Sequence, residues 1–213
     1  MRGVIQSMAL MATLGSAASA DFIYKDALTK DTGWTSWDSK TDFTDNGLST
    51  LGVISQELKW LPDAFSAHVT LDTKGSIIWG FGVAASYSPD SGFSGLALVA
   101  DRSDKPVLTL GRWESDKLVD GVTFTPDDLA LFEGTHDLVI NVTNEIAWAQ
   151  VDGKTYGKIA YGGKPAGTQV VLASYAENDA YFRDMSLVLI PSQSGFMALA
   201  PLVMLAAYRR RRG

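Results

Sequence analysis

Between residues 21 and 189 the sequence predicts an all-β domain, a two-sheet antiparallel sandwich with one short helix. Three observations carry this expectation. Short runs of alternating apolar and polar residues recur along the chain, as in Phe65-Ser-Ala-His-Val-Thr-Leu71, which is the period of a half-buried strand. Clusters of Gly, Asp, Asn, Ser and Pro separate these runs, and such residues form turns. Apolar spacing of the helical kind is nearly absent over the same range.

The elements follow in order. Met1 to Ala20 carries a basic Arg2, an apolar run from Met8 to Leu14 and a small-residue finish, Ser16-Ala-Ala-Ser-Ala20. This is the layout of a secretory signal peptide, with cleavage expected after Ala20 and Asp21 as the new N terminus. Strands are predicted at Gly47 to Ile54, Phe65 to Leu71, Ser76 to Ser86, Phe93 to Val99, Pro106 to Trp113, Asp137 to Val142, Ile146 to Val151, Thr168 to Tyr175 and Tyr181 to Leu189. That many strands at this spacing imply a sandwich rather than a small barrel. Thr125 to Phe132 is the exception: Thr125 suits a cap, Pro126 the first helical position, and Asp127 and Asp128 the positive end of a helix dipole. Gly134 to Lys154 reads as two alternating strands joined at Thr143-Asn144, with a second turn at Asp152-Gly153 where glycine supplies a positive φ.

At 213 residues the chain holds one sizeable core between its two end segments. It has no cysteine, so an exported domain of this sequence relies on packing rather than disulfides. Five of its 18 basic residues, Arg2, Arg209, Arg210, Arg211 and Arg212, lie in the end segments. The remaining 13 face 24 acidic ones, a net charge of −11 between the ends. An acidic domain of this kind argues against nucleic acid, whose phosphates call for Lys and Arg.

From Phe196 to Tyr208 thirteen residues carry no charge, and the run Arg209, Arg210, Arg211 and Arg212 follows. As a helix the uncharged stretch is about 20 Å long, against a hydrocarbon core of about 30 Å. It is short for a permanent span, and transient contact with the inner membrane fits better. Clustered arginines stay on the cytoplasmic side, which leaves the domain outside. The Ile190-Pro191-Ser192 start, the apolar stretch and the arginine cluster together resemble a PEP-CTERM-type sorting signal, the tail processed by exosortases. The usual Val-Pro-Glu-Pro reads Ile190-Pro191-Ser192-Gln193 here. The resemblance implies an exosortase-like protease as partner, processing near Ile190 and Pro191, a sorting role for Arg209, Arg210, Arg211 and Arg212, and a place in the cell envelope, on the outer surface or in the extracellular matrix. The expected division is thus 1–20 signal peptide, 21–189 sandwich, and 190–213 sorting segment with a short apolar helix.

The hairpin ending in Val151-Asp152-Gly153-Lys154 looks like the corresponding hairpin of concanavalin A-like and laminin-G-like domains. A closing strand with Phe182-Arg-Asp-Met-Ser-Leu-Val188 is similar to the last strand of many such domains. The likeness implies a jelly-roll sandwich. Glycosidases of this class need a pair of carboxylates about 5 Å apart on one strand face. The chain offers only Glu114-Ser115-Asp116 and Glu177-Asn178-Asp179, both in turn-like company, so no catalytic residue is assigned. Two histidines and no cysteine leave zinc without an ordinary ligand set; His68 and His136 read as structural. No resident cofactor is expected. Calcium is the candidate ion, with Asp42 and Asp45 as its first ligands, although a plain Asx turn closed by Gly47 accounts for the same stretch and is favoured.

Six tryptophans are many for this length. Aromatic faces stack on sugar rings, while burial is the competing use. Trp79 and Trp148, in regular strands, are assigned to the core; Trp34 and Trp37, in a Gly/Thr/Ser-rich segment, are the candidate ligand-binding pair. The leading expectation is an exported, non-catalytic domain with polysaccharide as candidate partner. A divergent glycoside hydrolase or lyase and a structural adhesion or surface-layer module stand as alternatives.

Overall fold

The computed structural model describes residues 22–73, 75–125, 129–162, 166–175 and 180–190. The predicted signal peptide and the tail beyond Ile190 lie outside the described residues, so the three-part division rests on sequence. Thirteen strands run in chain order: β1 (Phe22–Asp26), β2 (Thr35–Thr44), β3 (Gly47–Glu57), β4 (Phe65–Asp72), β5 (Ile78–Ser88), β6 (Gly92–Asp101), β7 (Val107–Glu114), β8 (Lys117–Phe124), β9 (Thr135–Val142), β10 (Ile146–Val151), β11 (Lys154–Ala160), β12 (Gln169–Tyr175) and β13 (Tyr181–Leu189). All nine predicted strands are present, and β1, β2, β8 and β11 are added to them.

Every pairing is antiparallel, and the strands form two layers. One is ordered β1-β13-β4-β9-β10-β11, the other β2-β3-β12-β5-β6-β7-β8. They join at a corner where Tyr181 and Phe182 of β13 pair with Ser49 and Leu48 of β3. The opposite side closes where the Phe124 ring of β8 packs edge-on against Tyr156 of β11, centroids 6.0 Å apart. This is the all-β sandwich that the alternation predicts, with the jelly-roll layout that the resemblance implies.

Alternation decides which side chains enter the core. In β4, Phe65, Ala67, Val69 and Leu71 are buried while Ser66, His68, Thr70 and Asp72 are half-exposed. A large aliphatic or aromatic residue buried this way contributes about 1.5–3 kcal/mol. The same rule corrects one assignment. In β10 it is Ala147, Ala149 and Val151 that are buried, so Trp148 sits half-buried on the outer face rather than in the core. Trp79 is fully buried as expected, and its indole N–H donates to the Leu131 carbonyl at 3.3 Å.

Of the predicted helix, Thr125 to Phe132, the described part holds one 3₁₀ turn, Leu129–Phe132, and residues 126–128 lie outside the described residues. Leu131 and Phe132 are buried and the Leu131 carbonyl is taken by Trp79. The Asp152-Gly153 turn behaves as predicted: Val151 pairs with Lys154, and both central residues have positive φ, +51° and +75°. This is the primed geometry that matches strand twist.

A β-bulge in β5 determines what the second layer shows to solvent. Val83 pairs with Leu96 and Ser86 with Ser94, so Ala84 and Ala85 together face Gly95. Ala84 adopts φ +50° and stays in the core, whereas Ala85 packs on the outer face with Val53 and Val171. The bulge therefore shifts the phase of the strand by one residue. Its exposed backbone groups are satisfied from outside the ladder: Ala84 O accepts from Gly167 N at 3.3 Å, and Tyr87 N donates to Gln169 Oε1 at 2.7 Å. Gly95 has φ +150°, and a Cβ there would lie 2.7 Å from the Ala85 Cα. Gly95→Ala is expected to cost about 1–3 kcal/mol, read as a drop in the urea midpoint with unchanged slope; an unchanged midpoint would remove the bulge from the list of fixed features.

Candidate functional site

The outer face of the second layer holds a cleft of about 370 Å³. Its floor consists of small aliphatic side chains and glycine backbone on the face that alternation turns away from the core: Val53 of β3, Val171 and Ala173 of β12, Gly80 and Gly82 of β5, Ala97 and Val99 of β6. Aromatic residues stand around this floor. A Cβ on Gly82 would lie 2.7 Å from a ring carbon of Phe93, so the absence of a side chain there lets the Phe93 ring approach the strand. Trp113 of β7 is half-buried, with its indole nitrogen buried and unpartnered. Tyr175, 48% exposed, marks the end nearest Ile78. Tyr175 pairs with Ile78 and Phe93 reaches Gly82, so the two are separated by about 13 Å along the sheet at the rise of a strand.

One wall is built from two hairpins held to each other. In the β7–β8 turn, where Glu114 pairs with Lys117, Ser115 and Asp116 both have positive φ, +49° and +63°, the primed geometry of a two-residue hairpin, which costs more without glycine. The β5–β6 hairpin braces this turn. Phe93 N donates to Asp116 Oδ1 at 2.8 Å, Asp116 N donates to Phe93 O at 2.9 Å, and Ser115 N donates to Ser94 Oγ at 3.0 Å. Asp116 is the one carboxylate among the described residues lining the cleft.

The residues singled out from sequence are dispersed. Trp37 stands beside the cleft: its ring meets Tyr87 edge-on at 5.8 Å and its N–H donates to Ser55 Oγ at 2.8 Å. It packs on the cluster of Val53, Ala85 and Val171. Trp34 does not join it. Its side chain is buried in the core, and its N–H donates to Asp26 Oδ2 at 3.0 Å. Asp26, 7% exposed, also accepts from Tyr24 OH, Leu28 N and Thr32 Oγ1. Burial pushes the Asp26 carboxyl up, but the hydrogen bonds from Thr32, Leu28, Trp34 and Tyr24 outweigh it and hold the group below the usual carboxylate value. Burial first, then the bond to Asp26, push the Tyr24 hydroxyl far above the ordinary tyrosine value.

Asp42 lies in β2 opposite Ser49, and Asp45 stands exposed in the β2–β3 turn. No group of three or more His, Cys, Asp and Glu side chains suited to a metal ion forms among the described residues. The turn itself is organised by Thr44, whose hydroxyl accepts from Asn46 N at 3.1 Å and donates to Gly47 O at 3.1 Å, rather than by an Asx side chain. His136 is buried, its ring nitrogens 2.8 Å from Asp152 Oδ2 and 3.1 Å from Glu133 O. It ties β9 to the β10–β11 turn. His68 lies 3.4 Å from Asp137 on the outer face of the first layer. Ile190 is described, with its N–H directed to Ala64 O at 3.4 Å. The other residues assigned to processing and sorting, Ala20, Asp21, Pro191, Arg209, Arg210, Arg211 and Arg212, lie outside the described residues, as do Glu177 and Asp179.

No family model matches this chain, and no curated protein sequence matches it. Solved structures do. A carbohydrate-binding module, CBM66 from Bacillus subtilis, superposes with a TM-score of 0.57 at 13% identity over 74% of this chain and 96% of that one. A Bacillus subtilis protein of unknown function with a galectin-like fold gives 0.60 at 11% identity over 79% and 96%. A prokaryotic β-1,3-1,4-glucanase (lichenase) from a mouse hindgut metagenome gives 0.55 at 10% identity over 78% and 97%.

The fold is a galectin-like jelly roll. At these identities the likeness is one of fold, and fold alone does not assign an activity. Tyr87, Phe93, Trp113 and Tyr175 were not singled out from the sequence, and Asp116 was weighed there only with Glu114 as a carboxylate pair and set aside. Alternation would have placed Phe93, Ala97 and Val99 on one face of β6; the phase shift at Ala84 hid Tyr87.

Proposed function

We propose that this is a non-catalytic carbohydrate-binding domain, exported and sorted to the cell surface, that holds polysaccharide in the cleft of its second layer. The observation that carries the reading is the aromatic-walled cleft with a small-residue floor. A pyranose ring offers an apolar C–H face and a polar edge, and a floor of Gly, Ala and Val beside Phe93, Trp113 and Tyr175 suits the former. Glycoside hydrolysis needs two carboxylates about 5–9.5 Å apart. Asp116 has no carboxylate partner among the described residues lining the cleft, and one of its oxygens is occupied by Phe93 N. Export and sorting rest on the layouts of 1–20 and 190–213.

The test is affinity electrophoresis and calorimetry of the purified protein against soluble glucans, xylans, mannans and fructans, with reducing-end release measured in parallel. Retardation by at least one glycan with no sugar release is expected. Binding to none removes the reading. Sugar release abolished by Asp116→Asn or Glu177→Gln would instead make the domain a glycoside hydrolase. Mass spectrometry of the native protein should find Asp21 at its start and an end close to Pro191; an intact arginine tail would exclude processing.

A further inference from the structure

Resting on the reading of the cleft as a glycan site, we infer that it is selective for uncharged polysaccharide and rejects chains carrying uronic acids or sulfate. The described residues lining the cleft include no Lys, Arg or His. Lys117, which directly follows Asp116 in the chain, belongs to β8 and is not part of the lining. An anionic sugar laid on Gly82, Ala97, Val99 and Val171 loses water over an apolar floor and gains no counter-charge there. Asp116 adds repulsion. Its carboxylate is held at the wall by Phe93 N, and Oδ2 lies 2.1 Å from where a Cβ on Gly92 would be, so the group fills the space left by that glycine and is fixed in place. The net charge of −11 between the end segments extends the same sign over the domain. A neutral sugar has no charge to desolvate or repel, so its hydroxyls cost much less there, and it still offers a C–H face to the aromatic rings and hydroxyls to Asp116.

The experiment compares one glucan with its own C6-oxidised form, in which primary alcohols have become carboxylates, so that backbone and chain length are common to both. The wild-type protein is expected to bind the oxidised chain at least tenfold more weakly in low salt. The gap should narrow in about 1 M salt, where a charge is felt over only about 3 Å, and remain above unity because desolvation is not screened. Asp116→Asn keeps an oxygen for Phe93 N and removes the charge; the ratio of oxidised to neutral affinity should rise about threefold or more. Equal or tighter binding of the oxidised glucan by the wild type overturns the inference and leaves the glycan site standing. Binding of neither form, nor of any glycan tried above, overturns both. If the Asp116→Asn protein does not fold, the wild-type ratio decides alone.

Discussion

Asp26→Ala lowers the unfolding free energy by about 3–5 kcal/mol at neutral pH, measured by urea denaturation. Four donors converge on this nearly buried carboxylate: Leu28 N at 2.8 Å on Oδ1, and on Oδ2 the Tyr24 hydroxyl at 2.8 Å, the Trp34 indole at 3.0 Å and the Thr32 hydroxyl. They connect β1, the segment between β1 and β2, and the core in which Trp34 and Leu28 are buried. Alanine leaves all four without an acceptor. Asparagine recovers only part of this: in either amide orientation one donor-only N–H, Trp34 Nε1 or Leu28 N, is left facing the NH₂, while the Tyr24 and Thr32 hydroxyls can turn to accept. The charge adds a pH signature. Because the folded-state value is held below the ordinary 3.8, the stabilisation is fully present above that value and is lost as pH falls through the lower folded value. The stability gap between wild type and Asp26→Asn is therefore flat between about pH 5 and pH 8 and contracts below about pH 4. A gap under about 1 kcal/mol at pH 7, or one that widens in acid, would contradict this account.

The same residues show what sequence could and could not convey. Nine strands were legible because each has one face in the core, and burial imposes period two on the side chains. β8 and β11 lacked that mark: Lys117 to Asp120 are all exposed, as are Lys154 and Thr155. They are edge strands whose residues answer to hairpin pairing more than to burial. β2 read as a loop because its Thr, Ser and Asp residues are turn formers, and its pairing with β3 slips between Trp37 and Lys40, which disrupts any simple alternation. Trp34 and Trp37 looked alike in such a segment. What separates them is a partner eight residues upstream of Trp34, a carboxylate that no local pattern announces. The cleft was hidden for a similar reason. Its floor is readable strand by strand, but placing Val171 and Ala173 beside Gly80 and Gly82 requires β12 to insert between β3 and β5, and fixing the wall requires the staple from Asp116 to Phe93, pairings that no local pattern announces.

If the cleft is the glycan site proposed above, Trp113→Ala is expected to weaken binding about tenfold or more, equivalent to about 1.4 kcal/mol, while Trp34→Ala acts through folding. The two tryptophans are chemically identical and topologically opposite. Trp113 is half-buried on the cleft face, and its unpartnered ring nitrogen gives no internal hydrogen bond to lose. Removing the ring should change affinity much more than stability. Trp34 belongs to the core and to the Asp26 network, so its truncation should cost about 3–5 kcal/mol, with binding falling only as the folded fraction falls. Trp37 lies between these cases. It supports Tyr87 from the side and anchors to Ser55, so Trp37→Ala should weaken binding less than Trp113→Ala, through displacement of Tyr87. Denaturation and glycan titration of the three single variants separate these roles, which a Trp34/Trp37 double variant would confound. Full affinity in Trp113→Ala together with its abolition in a stably folded Trp37→Ala would move the platform off the cleft and onto the flank of β2.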